Sequence, residues 1–221
     1  MLIKTSADEF WIEARKLVRA TSTVLDIGCG IRPQDFFEPD IHICLDPHEE
    51  YLNHLAKNLT NEKKRHVMTI KGDWALAPKI FPSRSVDSLF LLDIIEHVDK
   101  EQAIQFLKEC EDLVREQIVI FTPLGFLPQE LEESGLDGWG LHGGEWQVHR
   151  SGWMPEDFGD QWDFLVCDDF HKVDGQGNRL DHPYGAFFAF LNLGEIKVYG
   201  IKEYRRLGFK KVEKILDRIG I

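Results

Sequence analysis

The fold is decided by Val24-Leu25-Asp26-Ile27-Gly28-Cys29-Gly30, an apolar strand that runs directly into two glycines separated by one residue. Glycine lets the backbone turn sharply after a strand and lets a ligand approach it closely. Dinucleotide-binding enzymes and ordinary tight turns use the same spacing, so the rest of the sequence must decide between them. A pyrophosphate site calls for a third glycine and a full helix, whereas Ile31-Arg32-Pro33 and only a short segment follow here.

Strands and helices alternate on both sides of this turn. Apolar runs predict the strands, and the amphipathic stretches between them predict the helices. The predicted strands are 23–27, 41–45, 66–70, 88–92, 117–121, 162–166 and 186–191, and the predicted helices are 49–59, 101–115 and an N-terminal helix within 1–21. We therefore predict one α/β domain over 1–221, a doubly wound, mostly parallel seven-stranded sheet with a final antiparallel hairpin. Its end, 201–221, is predicted to be partly helical.

Composition narrows the partners of the chain. Its 38 acidic and 26 basic residues give a net charge of -12, which repels phosphate backbones and anionic membranes. The four cysteines lie far apart, mostly in apolar runs, as is typical of reduced core thiols. No apolar stretch in the sequence approaches the roughly 20 residues of a membrane span. We therefore expect a cytoplasmic protein that binds neither nucleic acid nor membrane.

Acidic residues follow the next two strands. Asp46 ends the second strand, where its carboxylate can accept hydrogen bonds from both hydroxyls of a ribose, although it also fits a turn before Pro47. Gly72-Asp73-Trp74 follows the third strand and offers an acid and a ring that suit the amino group and flat face of adenine. Asp73 fits a helix N-cap equally well. Because open α/β sheets bind ligands at this edge, the turn and the acids together indicate a cofactor that contains adenosine.

These motifs, together with Phe90-Leu91-Leu92-Asp93-Ile94-Ile95-Glu96-His97-Val98, resemble the class I S-adenosylmethionine-dependent methyltransferases over roughly residues 20 to 125. Within that family, the Asp-Ile-Ile-Glu-His-Val stretch and Phe121-Thr122-Pro123 are similar to small-molecule methyltransferases of the ubiquinone-biosynthesis type. The resemblance implies a Rossmann-like methyltransferase fold and S-adenosylmethionine as the cofactor. The chain departs from the family pattern at Arg32-Pro33, near which the usual third glycine is replaced, and in the short segment after the first strand.

The resemblance also implies roles for individual residues. Asp26, Gly28 and Gly30 would line the methionine end of the cofactor. Asp46 would hold the ribose, Asp73 the adenine, and Asp93 would lie near the amino-acid moiety. The full predicted cofactor-binding set is Asp26, Gly28, Cys29, Gly30, Asp46, Pro47, Asp73, Trp74 and Asp93.

Methyl transfer from a sulfonium mainly requires that the protein align the acceptor and remove its proton. Histidine suits the second task. We predict His97 and His149 as catalytic residues, although His97 also fits a capping or core position. His149 belongs to a segment over 123–159 that is rich in Gly, Trp and His and is long for an ordinary connection, so we predict that it recognises the substrate or acts as a lid.

The same segment allows a metal interpretation. His142, Glu145 and His149 have the spacing of ligands on one helix face. Gly143-Gly144 disfavours that helix, however, and no further ligand is evident. The sequence therefore predicts no metal site.

The sequence thus predicts methyl transfer from S-adenosylmethionine to oxygen or nitrogen of a small polar acceptor, such as a sugar, a glycan or another metabolite. The Asn/Asp-Pro-Pro-aromatic signature of DNA amino-methylating enzymes does not follow the fourth predicted strand. Two alternatives stay open. The glycine turn and the ribose acid also fit a nicotinamide-dinucleotide-dependent oxidoreductase, and the altered turn at Arg32 fits a non-catalytic binding protein that keeps the fold.

Overall fold

One mixed sheet of eight strands forms the centre of the protein in the computed structural model, which describes residues 1–129, 135–173 and 179–194. The strands are β1 (Leu2–Lys4), β2 (Thr23–Ile27), β3 (Ile41–Asp46), β4 (Val67–Lys71), β5 (Val86–Leu92), β6 (Val114–Pro123), β7 (Trp162–Val173) and β8 (Arg179–Asn192). Their order across the sheet is β1-β7-β8-β6-β5-β2-β3-β4. Strand β8 is antiparallel to β6 and β7, and the other neighbouring pairs are parallel. The predicted mostly parallel sheet with a final hairpin is confirmed, while the predicted helical end over 201–221 lies outside the described residues.

Helices cover both faces of this sheet. The described residues form α1 (Phe10–Leu17), α2 (Glu49–Asn58), α3 (Ala77–Ile80) and α4 (Lys100–Leu113). Successive side chains of the central strand β5 point to opposite faces of the sheet. Leu89 and Leu91 belong to the same core cluster as Phe106 of α4, whereas Phe90 belongs to the cluster of Phe10 of α1. A strand buried on both faces needs no polar alternation, which explains its continuous apolar sequence. Within the described part of the chain, no helix combines the length and apolar character needed to cross a membrane.

The eighth strand corrects the predicted number of strands and the predicted N-terminal helix. Residues 2–4 form β1 rather than helix, and the first helix covers only Phe10–Leu17 of the predicted 1–21. Strand β1 adds to the sheet parallel to β7, with Ile3 opposite Leu165, and the Met1 amino group donates a hydrogen bond of 2.7 Å to Asp163. A three-residue edge strand carries too short a pattern to be recognised, and its partner lies about 160 residues further along the chain.

Phe188 on β8 tests how strongly the aromatic core on the α1 face stabilises the fold. Its ring is fully buried and lies 5.2 Å from Phe10 and 5.0 Å from Phe121, measured between centroids. Phe188→Ala should lower the free energy of unfolding by about 3–5 kcal/mol because it removes these contacts and leaves a cavity. Urea unfolding measures the loss, with Met68→Ala on the exposed side of β4 as control, expected to change it by less than about 0.5 kcal/mol. A loss below about 1 kcal/mol for Phe188→Ala would contradict this account of the core.

Candidate functional site

A cleft with a cavity volume of about 150 Å³ opens where β2, β3, β4 and β5 end. Ligands bind at this edge of open α/β sheets. Six residues predicted to be functional line it, namely Gly28, Asp46, Pro47, Asp73, Trp74 and His97. The lining also includes Glu145, Trp146 and Arg150 from the segment that follows β6. The structure thus brings five of the nine predicted cofactor-binding residues and part of the predicted recognition segment to one cleft.

The glycine turn after β2 is held by hydrogen bonds from β3. The Gly28 amide donates to the Leu45 carbonyl at 2.7 Å, and the Gly30 amide donates to the Asp46 carboxylate at 2.8 Å. Both glycines adopt positive φ, +67° and +53°, a conformation that side chains with a Cβ rarely take. A Cβ on Gly28 would also come within 1.9 Å of the Ile94 side chain. Glycine is therefore required at this position both for the turn and for its packing against the segment after β5.

Asp26 supports the turn instead of lining the cleft. It is 1% exposed, and its carboxylate accepts a 2.6 Å hydrogen bond from the Gln34 amide and lies 3.2 Å from His42 Nε2. These contacts hold the segment 31–40, which contains no helix. A dinucleotide-binding fold would have a full helix here, directly after the glycines. Burial alone would lower the pKa of His42, but the hydrogen bond to Asp26 and the nearby Cys44 outweigh it and raise the pKa to about 10.

Cys29 and Gly30 also lie outside the cleft lining formed by the described residues. Cys29 is 4% exposed, and its hydrogen bond to Cys44 together with burial raises the pKa of its thiol. The Trp139 ring covers Gly30, because a Cβ there would approach its Cη2 atom within 2.7 Å. Asp26, Cys29 and Gly30 shape the turn beside the cleft, and their predicted contacts with a cofactor stay predictions.

The acids at the ends of β3 and β4 occupy different environments. Asp46 is 3% exposed, and its two carboxylate oxygens accept hydrogen bonds of 2.8 Å each from the Gly30 and His48 amides. Burial raises the pKa of Asp46 against the opposing effect of these bonds. Asp73 is exposed and precedes the short turn that begins at Trp74, but its side chain makes no capping hydrogen bond there. The carboxylate of Asp73 is therefore available to a ligand beside the Trp74 ring.

The turn after β5 carries Asp93 and Glu96. Asp93 is exposed and adopts a positive φ of 56°, and its amide donates to the Phe121 carbonyl at 3.0 Å. Glu96 is 1% exposed, and its Oε2 atom accepts a 2.9 Å hydrogen bond from the Thr122 hydroxyl. Burial and the nearby Asp93 carboxylate raise the pKa of Glu96 well above its usual value. Asp93 lies beside Ile94 at the wall of the cleft, and its predicted contact with the cofactor stays a prediction.

The two predicted catalytic histidines lie side by side, although 51 residues separate them in the chain. The ring centroids of His97 and His149 are 4.8 Å apart, and only His97 lines the cleft. Nδ1 of His97 lies 3.1 Å from the Val148 carbonyl, and Nδ1 of His149 lies 2.6 Å from the Leu127 carbonyl. Burial and the neighbouring His149 lower the pKa of His97 to about 4, so its ring is neutral at pH 7.

The segment 149–153 reaches this place because it is fastened to the turn after β5. The amides of Arg150 and Ser151 donate hydrogen bonds of 2.7 and 3.0 Å to the Glu96 carbonyl. Trp153 is fully buried, and its Nε1 atom donates to the Ile95 carbonyl at 3.2 Å and to the Ser151 hydroxyl at 2.9 Å. This docking fixes His149 beside His97. Trp153 is therefore part of the hydrophobic core.

Tyr51 on α2 is a cleft residue that the sequence did not single out. Its hydroxyl donates to the Asp137 carboxylate, and its ring lies 5.1 Å from Trp139 between centroids. Asp137 also accepts the amides of Trp139 and Leu141 at 2.8 and 3.0 Å. Tyr51 thereby anchors the loop that covers Gly30. In the sequence it has the spacing of an ordinary core residue of an amphipathic helix, so no local signal distinguishes it.

Comparison with solved structures finds proteins with the same fold. This chain is similar to an S-adenosylmethionine-dependent methyltransferase from Archaeoglobus fulgidus, with 17% identity, a TM-score of 0.52 and coverage of 85% of this chain and 95% of that chain. It is also similar to the methyltransferase domain of bacterial CtHen1, with 16% identity, a TM-score of 0.51 and coverage of 85% and 100%. The YcgJ protein of Bacillus subtilis gives 14% identity, a TM-score of 0.55 and coverage of 85% and 99%.

At these identities the likeness concerns the fold, which is the Rossmann-like methyltransferase fold over most of each chain. Protein-family models and curated protein sequences give no significant match to this chain.

The buried contact between His42 and Asp26 predicts a dependence of stability on pH. His42 has a pKa of about 10 in the folded protein and 6.5 as the ordinary value, so its stabilising effect is complete below about pH 6.5 and is lost as the pH rises to about 10. In urea unfolding, His42→Asn should therefore lower the free energy of unfolding more at pH 6.5 than at pH 10. His54→Asn, at an exposed position of α2, is the matched control and should follow the unmodified protein. An equal effect of His42→Asn at both pH values would contradict the charged pair.

Proposed function

We propose that this chain, which has the methyltransferase fold, transfers a methyl group from S-adenosylmethionine to oxygen or nitrogen of a small polar acceptor such as a sugar, a glycan or another metabolite. The observation that carries the proposal is the convergence of Gly28, Asp46, Asp73 and Trp74 on one cleft at the ends of successive strands. Each of these residues offers what one part of an adenosine-containing ligand requires. The residues present therefore fit this cofactor.

Asp46 is suited to the ribose. Each of its carboxylate oxygens already accepts one amide hydrogen bond, and a carboxylate oxygen can accept two. One acceptor site on each oxygen thus remains for a ribose hydroxyl, and the two amides fix the orientation of the carboxylate. Because Asp46 is almost fully buried, water competes little for those sites.

Asp73 and Trp74 are suited to the adenine. The Trp74 ring lies at the cleft and is held from behind by Phe106 at 5.1 Å between centroids, so it offers a rigid apolar face. The exposed Asp73 carboxylate beside it can accept a hydrogen bond from the exocyclic amino group. Gly28 leaves room for the remainder of the ligand because it places no side chain in the cleft.

When bound, the cofactor supplies an electrophilic sulfonium methyl group, and the chain itself has to align the acceptor and accept its proton. The wall that carries Glu145, Trp146 and Arg150 combines an aromatic ring with charged groups, which suits a small acceptor with polar substituents. His97 is neutral and lies at the cleft, so it fits the predicted role of proton acceptor, with His149 beside it. The cytoplasmic location, the avoidance of nucleic acid and the lid role of 123–159 stay predictions from the sequence.

The nicotinamide alternative is less well supported. A dinucleotide pyrophosphate binds at the N-terminus of a helix that follows the glycine turn. In the described structure, residues 31–40 contain no helix, and the Asp26 carboxylate holds this segment by the Gln34 amide. A non-catalytic protein with this fold would bind S-adenosylhomocysteine but would label no acceptor when incubated with cell extract and methyl-labelled cofactor.

Calorimetric titration with S-adenosylhomocysteine tests the proposed cofactor and the role of Asp46. Asp46→Asn should raise the dissociation constant at least about tenfold, equal to about 1.4 kcal/mol, because an amide turns a donor toward groups that need an acceptor. Asp160→Asn, an exposed acid that does not line the cleft, is the control and should bind like the unmodified protein. Equal affinity in Asp46→Asn would remove the ribose assignment. If the unmodified protein failed to bind at about 1 mM ligand, the proposed function would be wrong.

A further inference from the structure

Three side chains of types that can bind a metal ion converge at the edge of the cleft. Glu96, His97 and His149 each place one ligand atom, a carboxylate oxygen or a ring nitrogen, so that the three atoms lie within 4.8 Å of one another. Two of these residues come from the turn after β5, and the third comes from the segment docked on that turn. Ligands at about 2.0–2.2 Å from one ion in tetrahedral geometry lie roughly 3.4 Å apart, so the side chains would have to close by at most about 1.4 Å to surround it.

Main-chain carbonyls hold one nitrogen of each imidazole. A carbonyl oxygen only accepts hydrogen bonds, so the contacts with the Val148 and Leu127 carbonyls place a proton on Nδ1 of His97 and of His149. In a neutral ring, Nε2 then carries a lone pair. Histidines that bind metals commonly donate their other N–H to a carbonyl or carboxylate in this way, which fixes the tautomer and the direction of the ring.

Glu96 supplies an independent observation. Its side chain is almost completely buried, and Oε2 is satisfied by the Thr122 hydroxyl. Among the described residues, no donor reaches its buried Oε1 atom, and the Glu96 carboxyl group also lies beside the Asp93 carboxyl group. A buried acceptor without a partner is costly, and here it lies beside two further acceptor atoms. A cation at this point would satisfy all three.

We propose that Glu96, His97 and His149 bind one divalent transition-metal ion. Two imidazole nitrogens and one carboxylate oxygen favour Zn²⁺, Mn²⁺, Fe²⁺ or Co²⁺ over Mg²⁺ and Ca²⁺, which prefer oxygen ligands alone. This differs from the absence of a metal site predicted from the sequence. The spacing of His142, Glu145 and His149 is misleading, because the described His142 side chain and amide both contact Glu50 on α2, at 3.3 and 3.1 Å.

The position of the ion indicates the class of acceptor, an inference that rests on the proposed methyl transfer. His97 lines the cleft, so an ion bound to it lies at the cleft wall. Three protein ligands leave at least one coordination position for a substrate. An acceptor that carries a hydroxyl oxygen is suited to this position, because coordination to a divalent cation lowers the pKa of a hydroxyl and makes it a better nucleophile. In this arrangement His97 and His149 hold the ion instead of acting as proton acceptors, and the hydroxyl releases its proton to solvent when it coordinates to the ion.

The metal site is tested by calorimetry of protein freed of metal with a chelator and titrated with MnCl₂, ZnCl₂ or MgCl₂. One Mn²⁺ or Zn²⁺ ion per chain should bind, with Zn²⁺ tighter than Mn²⁺. Glu96→Gln and His149→Gln should each weaken binding at least about tenfold, whereas the control His142→Gln should leave it unchanged. The visible absorption of bound Co²⁺ in the unmodified protein, and its loss in His149→Gln, reports on nitrogen ligation directly.

Circular dichroism shows whether each variant folds. If Glu96→Gln fails to fold, His149→Gln still tests the site. The proposal is overturned by the absence of saturable Mn²⁺ and Zn²⁺ binding at about 1 mM, by binding of Mg²⁺ alone, or by affinities that the two substitutions leave intact.

The role in methyl transfer is tested separately by incubating cell extract with the protein and methyl-labelled cofactor, followed by mass spectrometry. Removal of metal, or Glu96→Gln, should abolish labelling of the acceptor while leaving the affinity for S-adenosylhomocysteine within about twofold, because Glu96 does not line the cleft. Labelling that persists after metal removal would overturn the acceptor role. Failure to bind S-adenosylhomocysteine would instead contradict the proposed function and leave the metal measurement intact.

Discussion

The docking of 149–153 onto the turn after β5 is the interaction on which the candidate site depends. A single carbonyl, that of Glu96, accepts the amides of Arg150 and Ser151, and the buried Trp153 donates to the neighbouring Ile95 carbonyl. The side chain of Glu96 lies in the same place and is fixed by Thr122 of β6. One residue therefore joins the end of β5, the strand β6 and the segment that follows it. This docking is what holds His149 beside His97.

Two other buried carboxylates organise the opposite side of the cleft. Asp46 fixes the glycine turn through the Gly30 amide, and Asp26 fixes the segment after it through the Gln34 amide. Charged groups are costly to bury unless they are hydrogen-bonded, so each acid is tied to the backbone that it holds. The consequence is a rigid floor made of main chain, with room above it where the glycines carry no side chains. The parallel strands position these parts at one edge of the sheet.

Local patterns predicted much of this structure from the sequence. The bounds of β2 agree with the prediction, and Gly28, Asp46, Asp73 and Trp74 lie at the cleft as expected, because strand ends and turns are encoded by neighbouring residues. Contacts between distant residues were not predictable. Strand β1 depends on a partner near the other end of the chain, Tyr51 has the pattern of a core residue, and His149 joins Glu96 only through docking. Asp26 lies in a cofactor motif, yet its carboxylate binds the Gln34 amide and thereby stabilises the turn.

The glycine turn, Asp46, Asp73 and Trp74 form the proposed cofactor site. A crystal structure of the protein with S-adenosylhomocysteine tests this most directly. The account predicts density in the cleft, with the ribose hydroxyls on the Asp46 carboxylate and the adenine against the Trp74 ring beside Asp73. Density for the ligand elsewhere on the protein, or a cleft that stays empty at saturating ligand, would contradict it.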